Sequence, residues 1–273
     1  MKQIRIGSFL YMIFMLLLSF TWIIPLLWSV SIAFRPPNDV FKGLFQITGI
    51  TFQNFVKAWH QAPFGQYYIA TLIIVLGILA VQLVTTVLSA YAFARLDFLG
   101  KQFFFIVLML QLMIPMDALI APNYLVMSNL GLVDTKLAVM LPHFASAFSI
   151  FLLRQTFKQI PREFDEAAVM EGAKWWHILP RIYIPSAKPT LIALALTVGS
   201  YNWNNYLWPL IVTNSTVNRP VTVGLALFSS SNESGADWSM ITAGMLFVAA
   251  PLIIAFMIFQ RQFINSFLQT GVK

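Results

Sequence analysis

Apolar residues run along this chain in long stretches free of charge. The first lies between Arg5 and Arg35 and includes Pro25; the second, between His60 and Arg95, has its core at Ile69–Ala92. The third runs from Gln102 to Met116, where Asp117 interrupts it, and the fourth, between Lys136 and Arg154, is short and contains Pro142 and His143. The fifth extends from Pro189 to about Val212 and the sixth from Ser239 to Phe259. Crossing a hydrocarbon core of ~30 Å takes about 20 apolar residues in a helix. The pattern therefore predicts an all-α integral membrane protein with six transmembrane helices. The first stretch far exceeds the roughly 7–15 residues of a signal-peptide core. Arg35-Pro36-Pro37 follows it rather than a small-residue cleavage pattern, so it is expected to be a retained helix.

Composition agrees. Of the 273 residues, 59% are hydrophobic and 10% charged, and the mean hydropathy is +0.76. A soluble domain carries roughly a quarter charged residues, so this chain needs lipid as the solvent for its excess apolar surface. A free-standing cytosolic enzyme, a disordered protein and a nucleic-acid-binding domain all fit poorly. The net charge of +7 takes its meaning from position. With the N-terminus inside, 12 of the 17 Lys and Arg fall on the cytoplasmic side; Arg35, Lys42, Lys57, Lys136 and Arg219 fall outside. The positive-inside rule then gives both termini in the cytoplasm. The charge marks topology rather than a nucleic-acid partner. With no cysteine, disulfides, thiolate metal sites and cysteine nucleophiles are excluded. His60, His143 and His177 are separated by whole helices, so no metal site is expected.

One loop is different. Residues 154–188 hold 6 of the 17 basic residues and 4 of the 10 acids, namely Glu163, Asp165, Glu166 and Glu171. Pro161 suits the first turn of a helix, and the acids after it favour the positive end of the helix dipole. Helical spacing places Phe164, Ala167, Ala168 and Glu171 along one side. Gly172 can adopt the left-handed conformation that stops a helix, and a second short helix is expected from Ala173 to Leu179, before Pro180. The result is a compact cytoplasmic knob. Phe164 offers an apolar anchor, Glu166 a directional charge, and Ala167 and Ala168 allow another backbone to come close. A solvated loop with ordinary positive-inside charges is the alternative on physics alone.

The spacing of Glu166-Ala167-Ala168, Gly172 and Ile182-Tyr183-Ile184-Pro185 resembles the EAA loop of ABC importer permeases, whose pattern is E-A-A-x3-G-x9-I-x-L-P. Ile184 stands where that family has Leu. Further segments are similar to the sugar-uptake branch that includes the maltose and glycerol-3-phosphate permeases: Ala90–Lys101, Ser128–Thr135, Tyr201–Thr213 and Phe259–Phe263. The resemblance covers residues 67–273, with residues 1–66 forming an N-terminal helix and first outer loop. It implies a multi-pass permease of the bacterial inner membrane. Its coupling loop, about residues 154–188 between helices 4 and 5, would bind a cytoplasmic ATPase through Phe164, Glu166, Ala167, Ala168, Gly172, Ile182 and Pro185. The implied partners are a second related permease, two ATPase copies and an extracytoplasmic solute-binding protein. That binding protein would dock on the outer segments Arg35–Gln66 and Thr213–Trp238.

The chain lacks a phosphate-cradling loop of its own, since no two of its 13 glycines stand five positions apart as that motif requires. It is therefore expected to bind no cofactor and to catalyse no reaction, leaving ATP and Mg to the partner ATPase. The resemblance implies transport of a sugar or oligosaccharide, with glycerol-3-phosphate or another polyol phosphate as the alternative. A secondary transporter or channel would share the composition but would not need the EAA-spaced knob. An intramembrane enzyme is disfavoured by the lack of HExxH, G-x-S-x-G or a carboxylate pair within the spans. Asn202, Trp203, Asn204, Asn205 and Tyr206 combine amides that bond hydroxyls with aromatic faces that cover sugar rings. Trp and Tyr also gather at membrane interfaces, and amides join helices, so both readings stand. The same two readings apply to Gln82 and Gln111 within the second and third helices. Asp117, at lipid depth, is expected to face a cavity, a partner or the outer interface.

Overall fold

The computed structural model describes residues 6–40, 43, 49–232 and 237–271. Residues 41–42, 44–48 and 233–236 of the expected outer segments, and the charges Lys2, Arg5, Lys42 and Lys273, lie outside the described residues. No strand occurs among those described. In chain order the helices are α1 (Ile6–Ala33), α2 (Gln53–Gln61), α3 (Phe64–Arg95), α4 (Lys101–Leu110), α5 (Ile120–Asn129), α6 (Lys136–Met140) and α7 (Ala147–Gln159). Then come α8 (Glu163–Met170), α9 (Trp175–Ile178), α10 (Ile184–Ser186), α11 (Lys188–Asn204), α12 (Leu207–Val212), α13 (Val221–Asn232) and α14 (Trp238–Gly271).

Among the described residues three helices are long and apolar enough to cross a membrane: α1 over Tyr11–Ala33, α3, and α14 over Trp238–Gln260. Three bent helix pairs pass the same test of length and composition when taken together. Lys101–Met113 turns by 100° into Met116–Asn129, Lys136–His143 by 45° into Ala147–Gln159, and Trp175–Ser186 by 78° into Lys188–Asn204. Counting each pair once gives the six expected spans.

The third stretch does not run helical to Met116 as its apolar sequence predicts. Regular helix ends at Leu110, a 3-10 turn covers Gln111–Met113, and Ile114 is extended at φ −93°, ψ 117°. The ring of Pro115 crowds the preceding residue out of the helical region, which places the break. The fifth stretch also breaks, at Asn205 (φ −63°, ψ 125°). The second cytoplasmic helix departs from expectation as well. It begins at Trp175 and does not end before Pro180; a π turn over Leu179–Tyr183 carries the chain into α10. Pro180 sits at the start of that turn, where its missing N–H is tolerated.

The chain forms two compact units. One comprises residues 1–64 and 224–251. Aromatic rings pack within it: those of Phe34 and Phe55 are 4.8 Å apart, Trp59 and Phe247 5.5 Å, and Phe64 and Phe228 5.6 Å. Such edge and tilted pairs each add about 0.5–1.5 kcal/mol beyond their buried area. Buried Asn54 donates to the carbonyls of Ala33 (2.9 Å) and Arg35 (2.7 Å), satisfying acceptors at the end of α1.

The other unit, residues 65–223 and 252–273, holds two apolar cores. Ile74, Ile78, Met140, Val198, Trp208 and Val212 belong to one. There Gly77 of α3 lies so close to α6 that a Cβ would stand 2.8 Å from the Met140 sulfur. Ala90, Tyr91, Leu153, Phe157, Leu179, Tyr183 and Leu194 belong to the other. This second core anchors the charged loop.

Candidate coupling surface and pathway

The acids Glu163, Asp165 and Glu166 occupy the first turn of α8, where they complement the helix dipole. The helix ends as its glycine predicts. Gly172 is left-handed at φ +80°; its amide bonds the carbonyl of Val169 (2.9 Å), and that of Ala173 bonds Ala168 (2.9 Å). This pair of bonds is the Schellman arrangement that satisfies terminal carbonyls. Phe164, Glu166, Ala167, Val169, Met170, Trp175 and Trp176 are exposed, whereas Ala168 and Ala173 turn inward onto the core. Ile182 also packs inward, and Pro185 is exposed. The knob thus carries exposed apolar side chains beside the outward carboxylates of Glu163, Glu166 and Glu171.

A buried network holds it from behind. Arg95, at the end of α3, donates through Nη2 to the carbonyls of Phe157 (2.9 Å) and Ile160 at the end of α7. Its Nε lies 3.5 Å from Asp165 Oδ2, with side-chain exposures of 7% and 21%. Tyr183 donates its hydroxyl to the same oxygen at 2.6 Å, and the guanidinium stands 5.2 Å from the Tyr183 ring centre. Tyr183 in turn is wedged edge-on between Tyr91 and Phe157, at 5.1 Å from each. Sequence reading assigned Arg95 to topology and Asp165 to the helix dipole, and left Tyr183 without a role.

Above α7, a cavity of about 310 Å³ is lined by Gln82, Gln111, His143, Ser149, Thr197, Tyr201 and Asn202 among others. Gln82 donates to Ser149 Oγ (3.3 Å), and Gln111 accepts from the Ala147 amide at the start of α7 (3.2 Å). Both therefore join helices as well as bordering the cavity. Asn202 donates to Val198 O (2.9 Å), and its Oδ1 is buried with no partner. A second cavity of about 200 Å³ shares Gln111, His143 and Tyr201 and adds Asp117, Asn123 and Asn205. Asn205 Nδ2 lies 3.1 Å from His143 Nε2. Trp203 is buried near Tyr68 and lines neither cavity. Asn204 and Tyr206 are exposed and border a shallow depression with Asn205. His143, which lines both cavities together with Tyr201, has no signal in the sequence that marks it as a pathway residue; only its place beside Gln111 in three dimensions does.

The outer loops are clamped by Asp134, which is itself left-handed at φ +62°. Its Oδ1 accepts from the amides of Asn214 and Ser215 (both 2.8 Å) and from Ser215 Oγ (2.9 Å). Its own amide bonds Val212 O (2.8 Å). Burial alone would raise the carboxyl, but these hydrogen bonds outweigh it and hold Asp134 below its ordinary value.

Residues 82–268 match the family described as binding-protein-dependent transport system inner membrane component. The chain is 32% identical to the arabinooligosaccharides transport system permease protein AraQ of Halalkalibacterium halodurans, over 100% of this chain and 99% of that one. It is 32% identical to the lactose transport system permease protein LacG of Rhizobium radiobacter, over 92% of each. To the sn-glycerol-3-phosphate transport system permease protein UgpE of Yersinia pestis it is 30% identical over 78% of each. Among solved structures, a bacterial ABC transporter involved in the import of the acidic polysaccharide alginate superposes with a TM-score of 0.85. That match covers 96% of this chain and 98% of the other at 23% identity, a likeness of fold.

Proposed function

We propose that this chain, which belongs to the family of binding-protein-dependent transport system inner membrane components, forms the pathway of an ATP-driven carbohydrate importer and docks its ATPase through the exposed face of α8 and α9. The observation that carries the docking reading is the outer face of α8 and α9. Phe164, Val169, Met170, Trp175 and Trp176 stand exposed, as does Glu166, on an element packed against the core from behind. Exposed apolar side chains beside a charge fit a protein groove better than water. The partners are a second related permease, two copies of an ATPase that bind ATP and Mg, and a solute-binding protein outside. The site of action is the bacterial inner membrane, with the knob in the cytoplasm as the positive-inside count requires.

The cavities favour a neutral sugar over a polyol phosphate. Their polar lining consists of amides, hydroxyls and a histidine, joined by the carboxylate of Asp117; among the described residues no Lys or Arg lines either one. Phosphate recognition draws on Arg or Lys, and Asp117 would repel it. Amides and hydroxyls instead match the alternating donors and acceptors of a sugar.

In membranes carrying the assembled importer, Glu166→Ala and Gly172→Asp should insert normally yet lose ATPase co-purification and sugar uptake. If Glu166 is enclosed against a cation of the ATPase, its removal costs about 3–5 kcal/mol of docking; an exposed pair would cost only about 0.2–1 kcal/mol. Full uptake and co-purification in both variants would reject the docking assignment.

A further inference from the structure

We infer that Arg95, Asp165 and Tyr183 form a positioning latch that makes the docking helix α8 move as one body with α3 and α7, whose side chains line the larger cavity. The inference rests on the reading of α8 as the ATPase dock. α3 is unbroken from Phe64 to Arg95. Gln82 and Arg95 are thus joined by about 20 Å of continuous helix at roughly 1.5 Å per residue. α7 carries Ser149 near one end and the carbonyls of Phe157 and Ile160 at the other. The two helices are pinned twice: Gln82 to Ser149 at the cavity, and Arg95 to the Phe157 and Ile160 carbonyls at the far end. A guanidinium there satisfies orphan carbonyls and meets the negative end of the α7 dipole.

The same guanidinium faces Asp165, and Tyr183 closes the set from the π turn. Four segments (the ends of α3 and α7, the first turn of α8 and the π turn) therefore meet at one cation. Neighbouring acids on α8 divide the work, with Asp165 turned back toward Arg95 and Glu166 exposed. The other Asp165 oxygen, Oδ1, is buried without a partner, so the hold on α8 depends on the contacts made through Oδ2. A fixed joint of this kind passes a displacement of α8 to Gln82 and Ser149. A slack joint would let the ATPase move α8 alone.

The test is the number of sugars imported per ATP hydrolysed by the whole importer in proteoliposomes, measured beside retention of the ATPase on the purified complex. Arg95→Gln removes the cation. Tyr183→Phe keeps the ring between Tyr91 and Phe157 and removes only the hydroxyl, which guards against a folding failure in the first variant. Both should retain the ATPase and hydrolyse ATP, while sugar imported per ATP falls about five- to tenfold in Arg95→Gln and about twofold in Tyr183→Phe, the range expected for residues that carry coupling. Arg95→Lys should recover part of the loss. An unchanged ratio in both variants would overturn the latch. So would parallel loss of ATPase retention and uptake in Tyr183→Phe, which would make these residues mere supports of the knob. A wild-type complex that retained no ATPase would instead reject the docking reading itself and the latch with it.

Discussion

Asp134 and Asp165 each tie a loop to the same compact unit, but they do so in opposite ways. Asp134 offers one oxygen to two backbone amides and a hydroxyl, all within 2.9 Å, and needs no cation. Asp165 receives a tyrosine hydroxyl at 2.6 Å and faces a guanidinium at 3.5 Å, with its second oxygen buried and unpartnered. The outer brace is built from the backbone of the segment it holds. The inner one is built from side chains that arrive from distant segments. Both join segments far apart in sequence, but a clamp on the backbone amides of one loop fixes that loop in place, whereas a joint of side chains from separate helices makes those helices move together. The difference places rigidity at the outer loops and transmission at the cytoplasmic face.

The comparison can be broken most sharply at Asp134. Asp134→Ala strands its donors and leaves a β-carbon residue in a left-handed conformation, so it should destabilise the outer loops by about 3 kcal/mol. Asp134→Asn keeps an acceptor oxygen and tolerates the positive φ, and should cost about 1 kcal/mol or less. Hydrogen exchange at residues 212–218 reports both. Equal exchange in Asp134→Ala and wild type would show that the brace is idle.

Acidification should produce a smaller, graded version of the same loosening. Because the folded carboxyl of Asp134 lies below its ordinary value, its contribution is complete above the unfolded pKa of about 3.9 and is lost as pH falls through the lower folded value. Exchange at 212–218 should therefore rise only below the normal carboxylate range, and Asp134→Asn should abolish that pH dependence.

At the inner end, Gly172→Ala meets no steric obstacle, because a Cβ there has nothing within 4 Å. Its cost should be backbone strain alone, about 1–2 kcal/mol. Unfolding of residues 163–173 by proteolysis would measure it, and an unchanged rate would remove the conformational case for glycine. A similarly small effect should be at Thr135, whose hydroxyl accepts from the Ala138 amide (3.1 Å) to cap α6. Thr135→Ala should cost about 1 kcal/mol, read as faster exchange at the start of α6.

The spans and the short helix that ends at Gly172 were legible because each is written locally. Twenty apolar residues mark a span wherever they occur, and the interval from Glu166 to Pro185 lies within one stretch of chain. The breaks were partly legible: Pro115 gives the reason for the turn at Ile114, but its 100° size depends on packing. Helices α2 and α13 fell in segments read as loops, since both are too short to register as spans. The latch was invisible for a different reason. Arg95 served as a topological charge and Asp165 as a dipole acid, and nothing local reveals that residues 70 positions apart meet. The run from Asn202 to Tyr206 taught a related lesson. Successive helical residues point about 100° apart, and the helix ends at Asn204. Asn202 and Asn205 therefore reach cavities, while Trp203 turns to Tyr68 and Asn204 stays exposed.

The central claim, that the exposed face of α8 meets the ATPase, has a direct test because the chain contains no cysteine. A single cysteine at Met170, which is 88% exposed, or at Phe164 can be offered to a short thiol cross-linker in the assembled importer. The account predicts a cross-link to the ATPase subunit from both positions and none from a control cysteine at Val217 in the outer loop. Cross-linking absent at Met170 and Phe164, in a complex that still retains its ATPase, would contradict it.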